Sequence, residues 1–202
     1  MIKVTEEIRN VLNFNFSTQQ ELTLSTLRME ESTENDFFIG RPFTLQEYID
    51  WEIIRKGKFT YLDEFDGINI PGNALLPFFA GDYNPLSLLE NRFLDSVLPE
   101  SGRINSIYIM GTHGRRNRVH IHEEAHGLYY IDKEYKHKAD EIVSSLNKRQ
   151  TGILERYLIK NCYGKHTWPD EKHAYLADGD YDFKQSKQMI KLFKHHRKLN
   201  LK

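Results

Sequence analysis

Apolar residues recur at helical spacing through much of this chain. Leu45, Tyr48, Ile49 and Ile53 form one stripe, opened by a Thr44–Glu47 capping box and closed by Gly57. Leu75, Leu76, Phe78 and Phe79 predict a second helix, and Leu88, Leu89, Phe93 and Leu94 a third, started by Pro85. Later, a helix is expected from Asp132 to about Leu146. Another should cover 150–161, with Ile153, Leu154, Tyr157 and Leu158 inward. Met189, Ile190, Leu192 and Phe193 interleave with lysines in a final, basic helix.

β patterning is scarcer. Ile104-Asn105-Ser106-Ile107-Tyr108-Ile109-Met110 is a β-rich apolar run ended by Gly111-Thr112-His113-Gly114. Phe37–Gly40 and Phe59–Leu62 read as short strands, and Asp66–Gly72 as a shaped, turn-rich loop. Residues 1–35 are polar and mixed, with 31–35 expected as an exposed loop. The balance predicts an α+β fold, helix-rich, in one domain with a small, mainly antiparallel sheet. No repeat or linker divides the chain. Residues 1–103 read as an N-terminal elaboration in the same domain or as a lid, 104–183 as the core, and 184–202 as the basic C-terminal helix.

A net charge of −1 with 28% charged residues provides no overall field for nucleic acid. Cys162 is the single cysteine, which excludes an internal disulfide framework and suits a reducing compartment. Met1 to Asn10 alternates charge without a long apolar core, unlike a signal peptide, and no stretch reaches the length of a membrane span. The expectation is a cytoplasmic protein with no clear nucleic-acid or membrane partner. The basic tail could contact an anionic partner, although a terminal helix with its lysines in water explains it more simply.

The chemistry concentrates in His122-Glu123-Glu124-Ala125-His126, an H-E-x-x-H pattern. On a helix, residues four apart share a face, so His122 and His126 can offer imidazole nitrogens to one ion, with Glu123 beside them as a base. Val119, Leu128 and Ile131 supply apolar positions beside this face. Glu124 is charged where such helices usually carry an uncharged residue, so it must lie in solvent or pair with a cation. His120-Ile121-His122 after Gly114 also fits the opening of a cupin pattern, but Glu123-Glu124-Ala125 has little β preference.

Two histidines and a water leave a tetrahedral zinc one protein ligand short. Asp132 has the spacing of a third ligand in the extended pattern, but Tyr129 stands where a glycine would break the helix. Glu141 lies about four turns further along. Glu171 belongs to Thr167-Trp168-Pro169-Asp170-Glu171-Lys172-His173-Ala174-Tyr175, which reads as a helix start with a Thr167–Asp170 capping pair and Pro169 in the first turn. There Glu171, Ala174 and Tyr175 share a face.

Residues 104–178 resemble the gluzincin-like zinc metallopeptidases, in which His-Glu-x-x-His on one helix is completed by a Glu from a later helix. His122, Glu123, His126 and Glu171 match that pattern residue by residue. His-Glu-x-Ala-His-Gly-Leu-Tyr-Tyr and Asp-Glu-x-x-Ala-Tyr also resemble a group of small bacterial proteins. The resemblance implies one Zn2+ held by His122, His126 and Glu171, Glu123 as general base, and hydrolysis of a peptide or protein substrate. Tyr175, His173 or His120 could stabilise an oxyanion. Arg115 and Arg116 could hold a substrate carboxylate, and strand 104–112 could pair with an extended peptide if it lies at the sheet edge. The alternative is a catalytically silent metal-binding or regulatory protein on the same scaffold, with Tyr129, Tyr130 and Tyr175 as packing residues.

Overall fold

The computed structural model describes residues 2–115, 117–161 and 163–202. It begins with a hairpin that the polar N-terminal sequence conceals. β1 (Lys3–Ile8) and β2 (Val11–Phe16) pair antiparallel. Between them Asn10 takes a left-handed φ of 64°, which asparagine tolerates better than most residues. β2 alternates, sending Leu12, Phe14 and Phe16 into one core cluster and Val11 into the other.

Thr18 then caps α1 (Gln19–Glu34), so the loop expected at 31–35 is largely a helix end. Phe37–Gly40 forms turns rather than a strand. Helix α1 is hard to foresee because its buried face is polar: Thr23, Ser25, Thr26, Arg28, Glu30 and Glu31 are buried with Leu22, Leu27 and Met29. The three hydroxyls bond back to carbonyls four residues earlier. Arg28 is saturated. Its guanidinium donates twice to Glu90, at 2.6 and 2.8 Å, and to the carbonyls of Phe43, Tyr83 and Pro85.

α2 (Leu45–Lys56) has the expected Thr44–Glu47 capping box and ends at Gly57, at φ 78°. Its buried residues are Tyr48 and Glu52, whereas Ile53 is exposed. Phe59–Leu62 is not a strand; α3 (Tyr61–Glu64) starts within it. The expected loop at 66–72 contains β3 (Gly67–Pro71). α4 (Leu76–Ala80) and α5 (Leu88–Val97) follow, the latter capped reciprocally by Ser87 and Glu90. A 3-10 segment covers Leu98–Ser106, so the apolar run becomes β4 only at Tyr108–His113.

The sheet order is β1-β2-β4-β3, with β4 parallel to β2 and antiparallel to β3. The α+β, mainly antiparallel expectation holds, and residues 1–103 supply three of its four strands. β4 lies inside the sheet, paired on both sides, so it has no free edge for an extended peptide. The edge strands are β1 and β3.

α1 and α5 cover one face of the sheet; α6 (Arg118–Ile131) lies across the other. There Gly127 meets β2: a Cβ would stand 2.8 Å from Val11 Cγ1, too close for a side chain. α7 (Lys133–Ser144), α8 (Lys148–Lys160), α9 (Trp168–Ala177) and α10 (Lys184–Leu199) complete that half. On α8 Leu154 and Leu158 are fully buried, while Tyr157 is exposed. α10 packs through Met189 and Phe193. His196, near the end of this helix, is buried and donates from Nδ1 to Asp132 at 2.8 Å. Arg197 donates to both oxygens of Glu124 at 2.9 and 3.0 Å, supplying the cation that the charged position in the motif requires. Among the described residues no helix is long and apolar enough to cross a membrane.

Candidate metal centre

Asn117 caps α6 by accepting from the His120 amide at 3.2 Å. The four-residue step along α6 brings His122 and His126 onto one face, ring centroids 4.8 Å apart. α9 packs alongside, with Ala125 and Ala174 both fully buried in the shared cluster. Small side chains at this crossing allow the close approach that brings Glu171 to the histidines. Glu171 Oε1 lies 3.6 Å from His126 Nε2, and Oε2 lies 3.7 Å from His122 Nε2. One ligand atom from each residue falls within a 4.8 Å cluster.

These separations are too long for hydrogen bonds. They approach the ~3.3 Å between neighbouring ligands around a tetrahedral ion with bonds of about 2.0–2.1 Å. The surroundings are buried: His122 is 9% exposed, Glu123 5%, His126 1% and Glu171 2%. His126 Nε2, Glu171 Oε2 and Glu123 Oε2 have no hydrogen-bond partner. Leaving such atoms unpaired costs about 1–3 kcal/mol each, more when charged. A cation among them would remove that penalty, so the donor set fits a metal.

The other ring nitrogens are committed. His122 Nδ1 donates to Asp178 at 3.0 Å and His126 Nδ1 to Asp170 at 2.9 Å. A carboxylate accepts, so each Nδ1 carries a hydrogen and Nε2 is the nitrogen facing Glu171, able to offer a lone pair to a metal once its own proton has left. Burial opposes charge on both histidines, but Asp178 and Glu171 outweigh it at His122, and Asp170 and Glu171 at His126, so both titrate above the ordinary histidine range. Burial likewise opposes the charge of Asp170, yet His126 and His173 hold it well below the usual carboxylate range.

Neither aspartate was assigned a role at the site by sequence reasoning. Asp170 had been expected to pair with Thr167 in a capping box. Instead Thr167 donates its hydroxyl to the Gly164 carbonyl and Asp170 turns to His126. Helical spacing carried a signal for the other, since positions 171, 175 and 178 share one face of α9.

Glu123 stands next to the histidines against β3. Gly67 is needed there, because a Cβ at that position would overlap Glu123 Oε1 and lie 2.7 Å from Val119 Cγ1. Burial, reinforced by Glu171, raises the Glu123 carboxyl against the pull of His122 and His126, a direction that suits a group exchanging protons near neutrality. The Tyr175 ring packs 4.5 Å from that of His122, and its hydroxyl faces those of Tyr157 and Tyr163 at 3.4 and 3.5 Å.

The other candidates fall elsewhere. Asp132 caps α7 and accepts from His196 and Asn200, while Glu141 is exposed beside His137. His120 faces Thr112 and Glu124 on the opposite side of α6. His173 has both nitrogens occupied, by the Asp170 and Ala125 carbonyls. Neither histidine is therefore free to stabilise an oxyanion. Arg115 is exposed and does not line the adjoining cavity, where Arg118 does. Arg116 lies outside the described residues.

A cavity of about 260 Å³ opens beside the cluster, bounded by α1, α2 and β3 on one side and by α6, α8 and α9 on the other. His122, Glu123 and Tyr175 reach it. No protein-family model matches this chain, and no curated protein or solved structure shows a significant match to it.

Proposed function

We propose that this protein is a metal-dependent hydrolase, most directly a zinc peptidase, with His122, His126 and Glu171 as ligands. The observation that carries this reading is the convergence of His122 Nε2, His126 Nε2 and the Glu171 carboxylate in a buried space, with both Nδ1 atoms already held by aspartates. Two imidazoles and one carboxylate suit zinc and leave a coordination position open. A bound zinc would supply Lewis acidity toward a carbonyl and make water acidic near neutral pH.

The chain's own groups then have defined tasks. Glu123, reaching the cavity with one oxygen unpaired, takes a proton from the attacking water and returns it to the leaving amine. Tyr175 forms the wall beside His122 and is the remaining side-chain candidate for polarising the carbonyl oxygen. Gly67 brings the backbone of β3 close to Glu123. The single cysteine suits a cytoplasmic setting.

A silent, metal-ordered scaffold is the second reading, favoured by ligands that are all under one-tenth exposed. Digestion of a peptide library by zinc-loaded wild type and Glu123→Gln separates the two. The hydrolase reading expects cleavage by wild type and at least a hundredfold less by Glu123→Gln, with equal zinc content. Equal zinc and no cleavage by either protein would favour the silent scaffold.

A further inference from the structure

The cavity beside Glu123 has an unbalanced wall. Its three Lys and Arg cations among the described residues are already engaged. Lys56 Nζ lies 2.7 Å from Glu52 and 2.9 Å from Glu64, Arg118 is paired with Asp180, and the Arg55 guanidinium stacks 4.6 Å over Trp51. Six carboxylates share the same lining among the described residues. Glu64 has Lys56, Asp66 accepts from Gln19, Asp178 holds His122 and Glu31 accepts from Asn35 at 2.7 Å. Glu123 belongs to the metal cluster. Glu34 has no hydrogen-bonding or ionic side-chain partner among the described residues, and it is not one of the convergent metal ligands.

A second observation points into the same space. Tyr61 lines the cavity and is 4% exposed, and its hydroxyl, set beside the Glu31 carboxylate, makes no hydrogen bond of good geometry. The carboxylates of Glu31, Glu30 and Glu34 all act on that phenol. The remaining walls are largely aromatic, with Tyr48, Trp51, Tyr163 and Tyr175 among them. Carboxylates and aromatic faces in one partly desolvated space favour one kind of guest, a cation, through charge-assisted hydrogen bonds and ring quadrupoles. A volume near 260 Å³ suits one side chain or one amino terminus rather than a larger ligand.

We infer that this cavity binds a positively charged group, a protonated amine or a guanidinium, and that Glu34 is its counter-charge with Tyr61 as a hydrogen-bonding wall. Resting on the hydrolase reading, the inference names the substrate class: peptides with a basic side chain or a free amino terminus next to the bond cut.

The test is titration calorimetry on zinc-loaded Glu123→Gln protein with three probe pairs. N-acetyl-lysinamide is compared with N-acetyl-norleucinamide, N-acetyl-argininamide with N-acetyl-citrullinamide, and leucinamide with N-acetyl-leucinamide. At least one charged probe should bind tenfold or more tighter than its neutral counterpart, and the pair identifies the source of the charge. Adding Glu34→Gln should remove most of that preference, and adding Tyr61→Phe should weaken binding a few-fold with an unchanged melting temperature. Equal binding of charged and neutral probes, no binding of either, or a preference that survives Glu34→Gln would overturn the inference. Cation preference without turnover by the wild type would remove the hydrolase reading and leave the cavity's assignment standing. Turnover with equal binding of both probe types would do the reverse.

Discussion

At the scale of single residues, the centre depends on what holds each imidazole by its other nitrogen. Asp170 and Asp178 fix a hydrogen on Nδ1 of their histidines and so leave Nε2 as the nitrogen that would meet a metal. Replacing such an orienting carboxylate typically costs 10–100-fold in metal affinity. Asp178→Asn is therefore expected to weaken zinc binding by about tenfold or more in a chelator competition, with the fold retained by circular dichroism. Unchanged affinity would show that the Asp178 contact is incidental. Glu124 illustrates a different residue-scale solution. A charge on the third motif position is tolerated because Arg197 reaches it with two hydrogen bonds, so the C-terminal helix is tied to the helix that carries the motif.

At the scale of elements, α1 is fastened by the Arg28–Glu90 pair as well as by Leu22, Leu27 and Met29. Removing one partner of a buried ion pair costs about 3–5 kcal/mol, because the other charge is left uncompensated. Arg28→Ala should lower unfolding free energy by that order in a denaturant titration, and a loss below about 1 kcal/mol would contradict the assigned role. The same helix shows why part of the fold was hidden in the sequence. α2, α5, α6, α8 and α9 were legible from caps, glycine stops and apolar spacing, all local signals. α1 was not, because Thr23, Ser25, Arg28 and Glu30 are buried by partners distant in sequence. β3 was missed for a related reason: Gly67 and Pro71 look like turn residues, and its register is set by β4 some forty residues later. Of the candidate ligands, helical spacing aligns 122 with 126, whereas Glu171 stood out through its place in a later helix and the metallopeptidase resemblance. Their orienting aspartates and the acidic wall from α1 required the tertiary arrangement.

At the scale of the whole molecule, buried charge sets the response to pH. Glu30 and Glu31, pushed up mainly by burial, bind protons more tightly in the folded chain than in the unfolded one. His122 and His126, held above their ordinary value by carboxylates, behave alike. A raised pKa of either kind adds stability as pH falls through the folded-state value. Glu6 runs the other way. Arg103 holds it at about 2, so its contribution is full above the unfolded value of 4.5 and is lost as pH drops toward 2. The metal-free protein should therefore gain stability between pH 7.5 and about pH 5 and lose it below about pH 4.5. Denaturant midpoints across that range check the sign, and a steady decline from pH 7.5 downward would contradict it. One ion held between α6 and α9 is the central proposal, and metal stoichiometry tests it most directly. Protein stripped with chelator and reloaded with zinc should hold one tightly bound ion per chain in the wild type and in Glu123→Gln, and none in His122→Ala/His126→Ala. Full occupancy in the double variant, or none in the wild type, would contradict it.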